Sequence, residues 1–126
     1  MDETEGAHMF EVRNIRRLLT EIIHGAICEV DAYPLSQVGR VLRGDIRGSR
    51  KRRNNTSPRL RLENAFSDAC WLLCPDPPAA ATRTYTLYEC CEGLDMVPQS
   101  VVPKRTLRKA RKLVSLYTTA IEATLR

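Results

Sequence analysis

Two pairs of side chains at four-residue spacing carry the metal-ligating potential of this chain: His24 with Cys28, and Cys70 with Cys74. On a helix, residues i and i+4 stand on one face about a turn apart, so each pair offers two donors from one side. Face to face, the four would make a Cys3His set, the tetrahedral nitrogen and sulfur environment that zinc favours, and such a clasp would couple metal binding to the folding of a small domain. Against this stand the spacing, which is not the two-residue gap of zinc fingers, and the frequency of cysteine as core filler, the simpler account of Cys70 and Cys91. The expectation is therefore no cofactor, or one structural zinc. The same His24 and Cys28 are close enough in sequence for a base and a nucleophile, but no third orienting group, oxyanion motif or glycine-rich phosphate loop accompanies them. An enzyme is not expected.

The second chemistry is charge. The chain holds 20 basic and 15 acidic residues, and most of the basic ones fall in two windows. One contains Arg40, Arg43, Arg47, Arg50, Lys51, Arg52, Arg53, Arg59 and Arg61 with Asp45 as its one acidic residue; the other contains Lys104, Arg105, Arg108, Lys109, Arg111 and Lys112 with none. Each window concentrates positive potential over a small area, which the net charge of +5 understates. Clustered Lys and Arg displace the counterions condensed on nucleic acid and bind it without reading sequence, and the planar arginine fork, dominant in the first window, suits phosphate and guanine edges. A flexible arginine-rich segment that orders on contact is also a common way of holding RNA. The candidate contact set is Arg47, Arg50, Lys51, Arg52, Arg53, Arg59 and Arg61 with the six cations of the second window. Two plainer readings compete: "RKRRNN" has the form of a nuclear import signal, and a basic helix face is often simply solvated. Ser57 before Pro58 adds a proline-directed phosphorylation pattern, and a phosphate there would oppose nearby anion contacts.

These residues need elements to hold them. Ile15, Leu18, Leu19, Ile22, Ile23, Ala26, Ile27 and Val30 repeat at helical spacing, predicting a helix over residues 10–30 with Arg17, Glu21, His24 and Cys28 on its far side. The cysteine pairs therefore meet only if the segment bearing Cys70 wraps that far side. A short helix is expected from Pro34, burying Leu35, Val38, Val41 and Leu42 and stopped by Gly44 in a left-handed conformation. Residues 45–58 read as a long exposed basic loop. Leu62, Ala65, Phe66, Ala69, Cys70 and Leu73 predict a helix after Pro58, ended by "CPDPP". Trp71 falls opposite Leu62 and Ala69, either exposed as a stacking surface or covered by a neighbouring helix.

Asp76 and Pro77 form a cap and first-turn pair for a fourth helix with Leu87, Tyr88 and Cys91 on one face and Gly93 at its end; "RTYTLYECC" competes as a strand through its Thr and Tyr content. The adjacent Cys90 and Cys91 are expected on different sides. A long terminal helix is expected from Ser100, with Pro103 in its first turn and Leu107, Ala110, Val114, Tyr117, Ile121 and Leu125 as its stripe. The fold class that follows is all-α: a small bundle of four or five helices with one long basic loop.

Length fits a single core, organised as an acidic, flexible N-terminal segment 1–9, in which "GAHM" has the look of a cloning remnant, and a helical domain 10–126. Only 6% of residues are aromatic, which leaves few base-stacking platforms. "MDETEGAHMF" lacks the pattern of a secretory leader, no apolar run reaches the ~20 residues that span a bilayer, and five cysteines cannot all pair within one chain. A reduced, nuclear and cytoplasmic protein without membrane attachment is expected.

The functional expectation is a non-enzymatic regulatory module binding nucleic acid, RNA more than DNA, with a nuclear import receptor as a further partner. The alternative is a protein-interaction adaptor, such as a viral accessory factor, whose amphipathic helices engage a partner while the basic loop acts as a nuclear localisation signal. A homodimer through a leftover apolar stripe is compatible with either.

Overall fold

The computed structural model describes residues 3–45, 57–73 and 86–125, with side chains from residue 12 onward. Every regular element among them is helical, and the chain forms an all-α bundle. The order is α1 (Glu3–Ala32), a 3-10 turn (Leu35–Gln37), α2 (Val38–Leu42), α3 (Pro58–Leu73), α4 (Leu87–Gly93), α5 (Pro98–Val101) and α6 (Lys104–Thr124). This exceeds four or five because one expected helix splits into the 3-10 turn and α2, and the expected terminal helix into α5 and α6. The second split occurs at Val102 and Pro103, whose extended backbone (ψ 120° and 144°) interrupts the helical path, as expected at a residue preceding proline. Pro103 thus precedes α6 instead of lying in its first turn. Most of the loop, residues 46–56, lies outside the described residues, as do Cys74, Asp76 and Pro77.

Helix α3 is central and packs against α6, α1 and α2, while α4 packs on α1 and α5. The core is aliphatic around one indole: Ile23, Val30, Leu62, Leu87, Leu113 and Trp71 are almost completely buried. Trp71 is 0% exposed, so it is not a surface stacking platform. With Asp68 and Leu72 also buried, the C-terminal half of α3 is enclosed on nearly all sides. Phe66 of α3 stacks on Tyr117 of α6, with ring centroids 4.0 Å apart and planes inclined by 17°, an aromatic pairing that adds to simple burial.

Helix ends are set by local chemistry. Ser57 Oγ accepts the N–H of Leu60 at 3.1 Å and so caps α3, with Pro58 in the first position, where its missing donor costs nothing. Thr86 and Glu89 form a reciprocal capping box on α4, the threonine-x-x-glutamate signature of "TLYE"; this settles residues 87–93 as helix. Gly44 ends α2 at φ +77° as expected, with Asp45 N–H donating to Arg40 O and Gly44 N–H to Val41 O, the paired bonds of a Schellman turn.

Helix α4 closes with the same pattern, but the left-handed residue is Asp95 (φ 55°) and not Gly93. Gly93 serves another purpose: a Cβ there would lie 2.7 Å from Leu19 Cδ1, so its missing side chain lets α4 approach α1. Cys90 and Cys91 are both 1% exposed, against the expectation that they would part. On an ideal helix they lie ~100° apart, straddling the arc centred on Leu87 and Leu94. Tyr88 falls outside that arc and is 58% exposed, so it does not share the core face.

Helix α1 is 30 residues long, and it starts at Glu3, so residues 3–9 continue the helix ahead of the predicted start at Phe10. Its inner half buries Ile23, Ala26 and Val30 against the bundle, whereas Val12, Ile15 and Leu18 are 41%, 56% and 56% exposed. The apolar stripe thus extends past the last element that packs on it. On α6 the buried strip is Thr106, Ala110 and Leu113, with Leu107, Val114, Tyr117 and Ile121 half-buried at its edges; Leu125 is 81% exposed and leaves the stripe.

Candidate nucleic-acid interface

The first nine residues of α6 carry six cations and no acid. The buried strip Thr106, Ala110 and Leu113 fixes the rotation of the helix, and helical geometry does the rest. Lys104, Arg108 and Arg111 follow one another at i, i+4 and i+7 on the outer side, and Arg105, Lys109 and Lys112 repeat that spacing on the flank. Lys104, Arg105, Arg108, Arg111 and Lys112 are exposed, and none of the six forms an ion pair with a described carboxylate. Two of them, Lys104 and Arg105, also sit in the first turn of the helix, where unsatisfied N–H groups already contribute positive potential and acids are the stabilising choice. Pro103 supplies no side-chain cap. The first turns of α6 therefore break the local rule for helix stability, the kind of conflict that marks functional surfaces.

Lys109 differs from the other five. It is half-buried, and its Nζ donates to Asp31 O near the C-terminus of α1, where a cation complements the negative end of the helix dipole. Thr106 Oγ1, completely buried, donates to Asp31 Oδ2 at 3.2 Å. Asp31 thus clasps α6 to the end of α1 and sets which way the outward cations point, and Lys109 is committed to that clasp.

The first basic window presents a different picture. Arg43 pairs with Asp45 at 3.1 Å and Arg59 with Glu63 at 3.1 Å, all four side chains exposed, so these two charges are partly neutralised. Arg61 lies 6.0 Å above the ring of Tyr33, a cation–π arrangement that brings it to the end of α1 where Asp31 meets α6. Arg47, Arg50, Lys51, Arg52 and Arg53 lie outside the described residues. Tyr33 itself is 2% exposed and its hydroxyl has no hydrogen-bond partner among the described residues; burial pushes its ionisation above the ordinary tyrosine value, with Arg61 pulling the other way.

Two open grooves flank the single turn of α5. One, of about 450 Å³, is lined by Gln99, Lys104, Leu107, Arg108 and Arg111, so the outer cation row lines a concave surface together with Leu107 and Gln99. The other, of about 310 Å³, is lined by Tyr88, Glu92, Asp95, Met96, Val97 and Pro98. Neither was visible in the sequence, although Tyr88 and Glu92 share the i, i+4 spacing of one face of α4.

The sulfur and imidazole residues are only partly brought together. His24 Nε2 and Cys28 Sγ are 3.3 Å apart on the exposed side of α1, as their spacing predicts. Cys70 is half-buried on α3, Cys74 lies outside the described residues, and no group of three or more metal-ligating side chains converges among the described residues. His24, Cys28 and Cys70 therefore do not share a site. Burial raises the Cys91 thiol above its usual ionisation range, which suits a packed core thiol and not a nucleophile. No helix among the described residues is long and apolar enough to cross a membrane.

Comparison of the chain with protein-family models, curated proteins and solved structures returned no match.

Proposed function

We propose that the protein is a non-enzymatic regulatory module that binds nucleic acid, RNA in preference to DNA, through the outward cations of α6 together with the arginine-rich loop, in the nucleus and the cytoplasm. One observation carries the reading: Lys104, Arg105, Arg108, Arg111 and Lys112 stand exposed within the first nine residues of α6, without described carboxylate partners. A polyanion relieves that accumulation of like charge, and the gain comes from counterion release. Arg47, Arg50, Lys51, Arg52 and Arg53 are proposed to extend the same contact, together with Arg61, which stands over the ring of Tyr33. Arg59 contributes less while it holds Glu63.

The test is the salt dependence of binding to a labelled RNA, followed by fluorescence anisotropy. Each phosphate contact contributes a log–log slope of about 0.9 on duplex and about 0.7 on single strands. The triple variant Lys104→Ala/Arg108→Ala/Arg111→Ala should flatten the slope by about 2 to 3 while weakening all sequences alike. An unchanged slope would refute the role of α6.

A second reading is favoured by a separate observation. Val12, Ile15 and Leu18, successive i, i+3 neighbours, form an exposed apolar stripe on the overhanging end of α1, and helix-in-groove recognition uses apolar anchors a helical turn apart. In that case the protein is an interaction adaptor and the basic loop an import signal. A chain that purifies free of nucleic acid at low salt, and whose partner binding is abolished by Ile15→Glu, would favour the adaptor.

A further inference from the structure

We infer that the groove between α4 and α5 receives a single unstacked nucleobase from a strand whose phosphates occupy the adjoining basic groove, making single-stranded RNA the ligand. The inference rests on the nucleic-acid reading above and adds the form of the ligand.

The two grooves share α5 as a wall. Pro98 lines one and Gln99 the other, and consecutive Cα atoms are about 3.8 Å apart, so one strand crossing this ridge meets both. Their chemistries are complementary halves of a nucleotide. Lys104, Arg108 and Arg111 supply positive charge on one side. On the other, Tyr88, Met96 and Val97 are 58%, 46% and 60% exposed, an apolar cluster of the sort that marks a binding surface.

Met96 and Val97 directly follow the left-handed residue Asp95 (φ 55°) that closes α4, and both stand exposed. Tyr88, at the edge of α4 and beyond its buried arc, offers a ring face, and stacking on an aromatic ring tolerates any base. The groove volume of about 310 Å³ is at the lower end of small-ligand sites, suited to one ring system and not to a helix.

Glu92 and Asp95 assign the polar edge. Carboxylates only accept hydrogen bonds, and the exocyclic amino groups of cytosine, adenine and guanine donate them. The same charges repel phosphate, so the backbone is confined to the basic side and the base to the acidic side. Duplex RNA keeps its bases stacked and inaccessible, whereas single-stranded loops and ends can splay one outward.

The experiment compares anisotropy titrations of a single-stranded RNA of about twelve nucleotides, within the usual site sizes of such binders, with an RNA duplex of equal length. The proteins are the full chain, Tyr88→Ala, Tyr88→Phe and Lys104→Ala/Arg108→Ala/Arg111→Ala. Tyr88→Ala should weaken single-strand binding by about 5- to 150-fold and leave the duplex within about twofold, and Tyr88→Phe should retain the wild-type affinity. The triple variant should weaken both ligands. An oligo-cytidine should bind more tightly than an oligo-uridine, whose base lacks the amino group.

Equal loss on both ligands, no loss on either, or no preference for cytidine would overturn the base site while leaving the phosphate contacts of α6 in place; the groove would then be open to a peptide. Absence of RNA binding by the unaltered chain would instead remove the nucleic-acid reading on which the site depends. Since Tyr88 is a surface residue, its substitution leaves the fold intact, which the thermal midpoint of each variant checks.

Discussion

Replacing Asp31 with Ala probes the clasp that orients the cationic helix. Its carboxylate accepts from the Thr106 hydroxyl, which is completely buried. Removing the acceptor leaves that donor without its charged partner, at a cost of about 1–3 kcal/mol. Two effects reduce the loss. A helical threonine hydroxyl can turn toward the carbonyl of the preceding turn, and a carboxylate near the C-terminus of α1 opposes the helix dipole, so its removal returns about 0.3–1 kcal/mol. The net expectation is destabilisation by about 1–2 kcal/mol, a fall of about 3–8 °C in the melting midpoint for a chain of this size.

Thr106→Val keeps the shape and removes the donor, leaving a half-exposed carboxylate that water can satisfy; it should cost about 0.5–1 kcal/mol. In urea denaturation the double variant should therefore be more stable than the sum of the single changes predicts, with a coupling of about 1 kcal/mol. Strict additivity, or an Asp31→Ala variant as stable as the parent, would refute the clasp. Asp31→Asn, which retains an acceptor and relieves the dipole clash, should stay within about 0.5 kcal/mol of the parent.

Tyr33→Phe removes a buried hydroxyl that has no partner among the described residues, so the variant should be at least as stable as the parent at neutral pH, by up to about 1 kcal/mol. The pH dependence carries a sign as well. Because burial raises the folded-state ionisation of Tyr33 above the unfolded value of 10.0, the neutral phenol stabilises the fold fully below that pH, and stability declines as pH rises past it; alkaline melting curves of the Phe variant should lack this component. Ser57→Ala removes the cap of α3 and should cost about 0.5–2 kcal/mol by thermal melting; phosphorylation of Ser57, placing a dianion at the same helix N-terminus, should instead preserve α3 while lowering RNA affinity through repulsion of the bound phosphates.

Much of the bundle was legible because helical spacing and end chemistry are local. Ile23, Ala26 and Val30 on α1, Leu62, Ala65 and Ala69 on α3, and the left-handed Gly44 behave as their positions predict. The start of α4 is equally local, since the capping box of Thr86 and Glu89 stands in "TLYE"; the expected cap and first-turn pair Asp76 and Pro77 lies outside the described residues. The outward set of α6 follows from spacing alone. Its inner strip is rotated slightly from the stripe that apolar residue types predict: Thr106 and Leu113 lie at the centre and Leu125 outside, because composition favours Leu over Thr while packing against α2 and α3 selects by angle.

What the sequence determined by itself was the helices, most of their ends and the concentration of charge, since each depends on contacts within a few residues. Only the tertiary structure decided which apolar faces are covered. Trp71 is enclosed while Val12 and Ile15, on the same stripe as buried Ile23 and Val30, stand open; Cys90 and Cys91 enter the core together while Tyr88 is left to line a groove. The tertiary structure also turned Lys109 inward to Asp31 and left its neighbours free. A periodicity states that one side of a helix can be buried, but whether it is depends on how far each neighbouring helix reaches, and that is fixed by contacts remote in the chain.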